Sequence, residues 1–169
     1  MCELYQVGEK VVYGIHGVCV IVDLEIKTLD RQKVQYYVLE PVDQPGARYY
    51  IPTQKPAAVA KLSPVLSKEE LKAMLSNQDI PEGTWVSDEN QRKQKYRELI
   101  SSTDRAAILA MVRALHVHKD QQAALGKKFH LCDEGFLRDA EKLLCSEFSM
   151  VLGISPQEIT DYIKGAPGR

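Results

Sequence analysis

Histidine and cysteine are the side chains best suited to hold a metal or to act as base or nucleophile. In this sequence they gather at His116-Val117-His118, followed by His130 and Cys132. A structural zinc site needs four such donors converging. On a helix, residues two apart point to different sides, so His116 and His118 are expected at a solvated helix end, where the helix dipole favours histidine. No metal or other cofactor is expected. His16 lies between Gly14 and Gly17; a catalytic histidine needs a positioned partner group, and the spacing here suits a tight turn. Cys145, between Leu144 and Ser146 in a helical pattern, reads as an inert thiol near a core. Asp133-Glu134 is the acidic pair that a helix first turn prefers, and no glycine-rich phosphate loop is present. An enzyme with a small-molecule substrate is therefore not expected; metal analysis would expose a His/Cys metalloenzyme.

The stretch from Ile80 to Arg97 offers chemistry without covalent steps. It holds the single tryptophan, Trp85, beside the Pro81 and Gly83 breakers and just before Arg92, Lys93, Lys95 and Arg97. An apolar ring next to cations is what a wedge into nucleic acid needs. It is also what an aromatic anchor at an inter-domain hinge would show. From Asp88 to Lys128 there are nine Lys/Arg (Arg92, Lys93, Lys95, Arg97, Arg105, Arg113, Lys119, Lys127, Lys128) against five Asp/Glu, a mild basic bias.

The elements that position these residues change type at Trp85. With 169 residues and 44% hydrophobic content the chain can fold as one medium or two small domains. Its 22 basic and 23 acidic residues leave a net charge of −1, so bulk charge does not announce a nucleic-acid binder. No apolar run approaches the ~20 residues of a membrane span. The four cysteines, Cys2, Cys19, Cys132 and Cys145, form no CxxC pair, which fits a reduced, cytoplasmic setting.

Before Trp85 the pattern is one of strands: Val11–Tyr13, Val18–Leu24, Val34–Leu39 and Arg48–Pro52, with a fifth expected over Ala57–Leu62. Leu29–Gln32 and Asp43–Gly46 read as turns. Short strands in fewer than 65 residues favour a small bent sheet or barrel. Ser67-Lys-Glu-Glu70 has capping-box spacing and starts a short helix to about Ser76, expected to pack on the sheet through Leu71, Met74 and Leu75. A linker follows to Thr84.

After Trp85 the period is helical. One helix spans about Ser87–Ile100. A second is capped from Ser102-Thr103-Asp104, carries Ile108, Met111, Val112 and Leu115 as one apolar stripe, and closes at Gly126-Lys127-Lys128. A third bears Phe136, Leu137, Ala140, Leu143, Leu144, Phe148 and Val151 and stops at Gly153. Ser155-Pro156-Gln157-Glu158 opens the last, which docks through Ile159, Tyr162 and Ile163. Gly165 to Arg169 is expected to fray.

Val7-Gly8-Glu9-Lys10-Val11-Val12-Tyr13-Gly14-Ile15-His16-Gly17-Val18, Tyr36-Tyr37-Val38-Leu39 and Tyr50-Ile51-Pro52 resemble the opening of the CarD family of bacterial transcription regulators, a module shared with the transcription-repair coupling factor. The helical half is similar to the same family in Trp85 with Arg92-Lys93-Gln94-Lys95-Tyr96, Asp104, Val112–Leu115 and Asp133–Glu147. The resemblance covers about residues 5 to 163. It implies a Tudor-like sheet that binds the β subunit of RNA polymerase by edge-strand pairing, with Lys27, Thr28 and Tyr50 at the contact; position 50 is often basic elsewhere in the family. It also implies a helical domain on promoter DNA at the upstream edge of the bubble. Trp85 would be the wedge there, with Arg92, Lys93, Lys95 and Arg97 as DNA-contacting cations. The Val86–Glu89 stretch before Arg92 is longer than in some members, and Gln94 replaces a basic residue.

The expected architecture is α+β: a Tudor-like polymerase-interacting domain over 1–66, a short helix and linker over 67–84, and a helical DNA-contacting domain over 85–169. The function implied is an adaptor that joins polymerase to promoter DNA and stabilises the open complex, monomeric, cytoplasmic and nucleoid-associated. The alternative is a protein-only interaction module with the helices as scaffold.

Overall fold

The computed structural model describes residues 5–77, 79–102 and 104–164, apart from the side chain of Ile15. Two compact units divide the chain, Met1–Val65 and Leu66–Arg169. The architecture is α+β, an antiparallel sheet followed by helices. Thr103, one of the three cap candidates, lies outside the described residues, as do Cys2 and the 165–169 tail.

In the first unit, strands β1 (Lys10–Tyr13), β2 (Val18–Leu29), β3 (Gln32–Pro41), β4 (Tyr49–Pro52) and β5 (Leu62–Pro64) form one sheet in the order β4-β3-β2-β1-β5. The fifth strand expected over Ala57–Leu62 is corrected. Pro56–Val59 is a helical turn, α1, and the strand starts at Leu62. Proline at the first helical position is pre-set for that turn, which explains the difference. The β2–β3 hairpin turns on Asp30 and Arg31, with φ of +49° and +66°. Both values lie in the left-handed region that a two-residue type I′ turn requires, and neither residue is the glycine that would adopt it without cost.

One irregularity in β2 decides what faces where. The register with β3 shifts between Ile21 and Asp23, a bulge that inserts Val22. Cys19 and Ile21 face the core before it and Leu24 after it, with Val11, Tyr37, Leu39, Ile51 and Leu62. Because side chains alternate with period two, an extra residue exchanges the two faces beyond it. Asp23, Glu25 and Lys27 are thereby carried to the outer face. Tyr5 closes the core with its amide donating to the Tyr37 hydroxyl at 3.2 Å. His16 sits in the Gly14–Gly17 turn with its ring 4.3 Å from that of Tyr49 and 4.9 Å from that of Tyr13, so its packing is structural.

The second unit holds α2 (Lys68–Ser76), α3 (Glu89–Ser101), α4 (Arg105–Ala124), α5 (Leu131–Leu152) and α6 (Pro156–Ile163). Their starts follow local chemistry. Ser67 accepts from the Glu70 amide, Asp88 from Gln91 and Asp104 from Ala107. Ser155 and Glu158 complete a reciprocal capping box. At the end of α4, Gly126 takes φ +69°. Its amide donates to Ala123 and that of Lys127 to Gln122, the double bond of a Schellman stop.

The apolar stripe Ile108, Met111, Val112 and Leu115 is buried, but Leu109, Ala110 and Ala114 are too. Helix α4 is therefore surrounded rather than one-sided along its first half. The expected docking of α2 on the sheet is also corrected: Leu71 and Leu75 enter the core of the helical unit. The Leu66 amide donates to Glu147 of α5 at 2.9 Å.

Three of the nine cations counted between Asp88 and Lys128 are buried: Arg92, Arg105 and Arg113. Arg105 pairs with Glu147 at 2.9 Å. Arg113 donates to the carbonyls of Leu75, Asn77 and Ile163; it thus caps the C-terminal ends of α2 and α6 together, satisfying acceptors that a helix end leaves open. The basic bias of this region is partly an interior feature.

Candidate functional site

Trp85 belongs to the connection between α2 and α3, and three side chains of α3 pin the backbone around it. Lys95 Nζ donates to Gly83 O at 2.6 Å and the Tyr96 hydroxyl to Thr84 O at 3.1 Å. Arg92 Nη1 donates to Val86 O at 2.9 Å and to Ser87 O at 3.3 Å. Arg92 is itself anchored. Its Nε and Nη2 reach the two carboxylate oxygens of Asp133, at 2.8 and 2.9 Å. This bidentate pair is buried, with Arg92 5% and Asp133 1% exposed.

The indole of Trp85 is half-buried. His118 of α4 stacks on it with centroids 3.9 Å apart and planes 22° from parallel, and the Arg92 guanidinium lies 4.5 Å from the ring centroid. The two contacts combine stacking with cation–π attraction. Burial holds the His118 pKa below its ordinary value; Asp133 opposes this and Arg92 assists it. The stacked imidazole is therefore favoured in its neutral form. Beside the ring opens a groove of about 380 Å³, lined in part by Trp85, Arg92, His118, Lys127, Lys128 and His130.

The structure thus brings Trp85 and Arg92 together and gives the remaining cations separate surroundings. Lys93 pairs with Glu89 at 2.7 Å, Lys95 is held on Gly83, and Arg97 is exposed. Gln94 is exposed and bonds Glu98 at 3.4 Å. The sequence places Asp133 in a helix first turn, as observed, but the helix-end position expected for His118 is corrected: α4 runs on to Ala124 and His118 lies within it. The partners of Asp133 and His118 lie 41 and 33 residues away, and no local spacing reports such pairings.

The donors weighed as a metal set do not converge as a group. His116 bonds Glu141 of α5, and His118 is occupied by Trp85 and Gln122. His130 and Cys132 do come together, with Glu89 as a third donor that the sequence did not suggest. Cys145 is half-buried, and burial raises its pKa. Cys19 is buried, with its pKa pushed up to about 12. Neither has the lowered pKa of a reactive thiol.

On the sheet, the Lys27 ammonium lies 3.8 Å from the centroid of the Tyr50 ring. Tyr36 meets the same ring edge-on at 6.3 Å. These residues share the outer face created by the Val22 bulge. Thr28 is one residue on and alternates to the other face, so it is exposed but apart from the pair. Tyr50, 41% exposed, stands on β4, an edge strand of the sheet. Among the described residues, no helix is long and apolar enough to cross a membrane.

Comparison with known proteins covers nearly the whole chain. The family model described as CarD-like/TRCF RID domain matches residues 5–65, and that of the CarD C-terminal domain matches residues 70–164. The chain is also similar to the Bacillus subtilis (strain 168) protein named "Putative transcription factor YdeB". The two are 24% identical over 159 residues, 94% of this chain and 99% of that protein. With both domain models matched in sequence order, the chain belongs to the CarD family of transcription factors.

Proposed function

We propose that this protein regulates transcription by joining RNA polymerase to promoter DNA. The sheet unit binds the polymerase β subunit, using the β4 edge with Lys27 and Tyr50, and Thr28 from the opposite face. The helical unit meets DNA at the upstream edge of the bubble, where Trp85 enters a distorted base step and favours the opened strands. The observation that supports this reading best is that Trp85, half-buried and surface-facing, is pinned on both sides of the chain by α3. A ring held in place before binding loses little freedom on contact.

Lys93, Lys95 and Arg97 supply sequence-independent, salt-dependent affinity by releasing counterions from phosphates. Arg92 has a different task from theirs. With its guanidinium buried on Asp133, it positions Trp85, and a direct phosphate contact would cost the bidentate pair. The protein needs to supply little energy to be effective. A preference of ~1.4 kcal/mol for the open over the closed complex shifts that equilibrium tenfold.

The test is retention of the full chain on bacterial RNA polymerase, followed by retention of a promoter fragment by that complex as salt is raised. Expected are binding to polymerase and a DNA contribution that weakens steeply with salt. Polymerase binding with no DNA contribution at low salt would instead favour the protein-only module.

A further inference from the structure

Outside the clamp that holds Trp85, three further side chains from α3 and the start of α5 come together. Glu89 lies in the first turn of α3, His130 is the N-cap residue of α5, and Cys132 lies in the first turn of α5. One donor atom from each lies within 4.8 Å of the others, and His130 Nε2 is already 3.6 Å from Glu89 Oε2. We infer that these three side chains form a binding site for a thiophilic divalent transition-metal ion, zinc above all.

The donor set selects the class of ion. A thiolate and an imidazole suit zinc and its neighbours, whereas magnesium and calcium prefer oxygen alone. In a tetrahedral zinc site the bond lengths of about 2.0–2.3 Å place neighbouring donors roughly 3.3–3.8 Å apart. The His130–Glu89 separation falls in that range. The remaining adjustment is of the order of 1 Å and falls on side chains that are exposed or half-buried. The groove beside Trp85, which Glu89 and His130 also line, leaves the fourth position open to water.

Of the neighbouring cations, Lys127 and Lys128 line the same groove. Arg92 is neutralised by Asp133. The Cys132 thiol, now 3.8 Å from Asp133 Oδ1, gives up its proton to solvent on binding. The metal with one thiolate and one carboxylate is then neutral overall. Glu89 is drawn from Lys93, whose ammonium is released. On the proposed function that release adds one cation near the DNA-facing surface; this consequence rests on that reading, but the binding itself does not.

Cobalt titration of the reduced full-length protein tests the site without polymerase or DNA. Expected are saturation at one equivalent, a thiolate-to-cobalt charge-transfer band, quenching of the single tryptophan, and displacement of cobalt by zinc. Cys132→Ser should abolish the band. His130→Ala and Glu89→Gln should each weaken binding at least about tenfold, since even outer-shell partners of a metal carry such factors. Their helical circular dichroism without metal should match that of the parent protein. No saturable band, or a band that survives Cys132→Ser and disappears with Cys145→Ser, would overturn the assignment.

Discussion

Replacing Asp133 with alanine removes the carboxylate that holds Arg92 from two directions, at 2.8 and 2.9 Å. Both partners are buried, so the guanidinium is left with an uncompensated charge in the protein interior. Breaking a buried pair from one side costs about 3–5 kcal/mol. Arg92 keeps its bonds to Val86 and Ser87, and the adjoining groove admits water to the space left by the carboxylate. The lower end, about 3 kcal/mol, is therefore expected. A domain of this size is stable by about 5–15 kcal/mol, so the variant should still fold. The assay is urea unfolding read by helical circular dichroism, which reports the Leu66–Arg169 unit because the long helices lie there. With a slope of about 1–3 kcal/mol per molar urea, the midpoint should fall by roughly 1–3 M. The emission of Trp85 should also shift to the red in the native state, since Arg92 anchors the chain beside it. Arg92→Met combined with Asp133→Leu should recover most of the loss, because replacing both partners by apolar groups leaves no orphaned charge. A loss under about 1 kcal/mol, with unchanged emission, would refute the claim that the pair positions Trp85.

Three further outcomes follow from particular contacts. Arg113→Met should destabilise the helical unit by about 3 kcal/mol, because carbonyls at the ends of α2 and α6 lose a charged donor; the same urea experiment measures it. Asp30→Asn with Arg31→Gly should stabilise the sheet unit by about 1 kcal/mol by installing the Asn-Gly pair that a type I′ turn favours and relieving the left-handed strain at Arg31, seen as a higher thermal midpoint in near-ultraviolet dichroism. Lys27→Glu should weaken retention on polymerase about tenfold in a pull-down while leaving the melting temperature unchanged, as half-exposed charges contribute little to stability. Unchanged retention would remove Lys27 from the contact.

Local chemistry was legible in the sequence, and long-range pairing was not. Ser67 and Ser155 could be identified as caps because the acceptor and its amide lie three residues apart, whereas Ser102-Thr103-Asp104 offered three candidates, of which Asp104 is the cap. The four residues of the α4 stripe follow from helical period alone. The hairpin at Asp30 and Arg31 follows from a polar break between two β-rich runs. The apolar side of α2 was evident, but period does not say which surface it covers, and it joined the helices. The sequence does not set Arg92, Arg105 and Arg113 apart from the surface cations, because the carboxylates that bury Arg92 and Arg105 lie 41 and 42 residues away and the carbonyls on Arg113 36 to 50. For Arg113 a signal existed: it interrupts Met111-Val112 and Ala114-Leu115, so a cation stands inside an apolar run.

The candidate site shows the same division. Trp85 stood out as the single tryptophan at the change of pattern, and the cations after it were visible in the sequence. The stack with His118 and the clamp from Arg92 and Asp133 required three helices to be placed together. Likewise, the Val22 bulge sets the face on which Lys27 meets Tyr50, and no residue pattern in β2 announced it.

The lifetime of the open complex is the measurement closest to the central claim. Purified bacterial holoenzyme on a promoter fragment would be challenged with competitor, without factor, with this protein, and with its Trp85→Ala variant. If Trp85 is the wedge, the lifetime lengthens with the protein and returns to the factor-free value with Trp85→Ala while retention on polymerase persists. An equal lifetime in all three, with folded and polymerase-bound protein, would contradict that role.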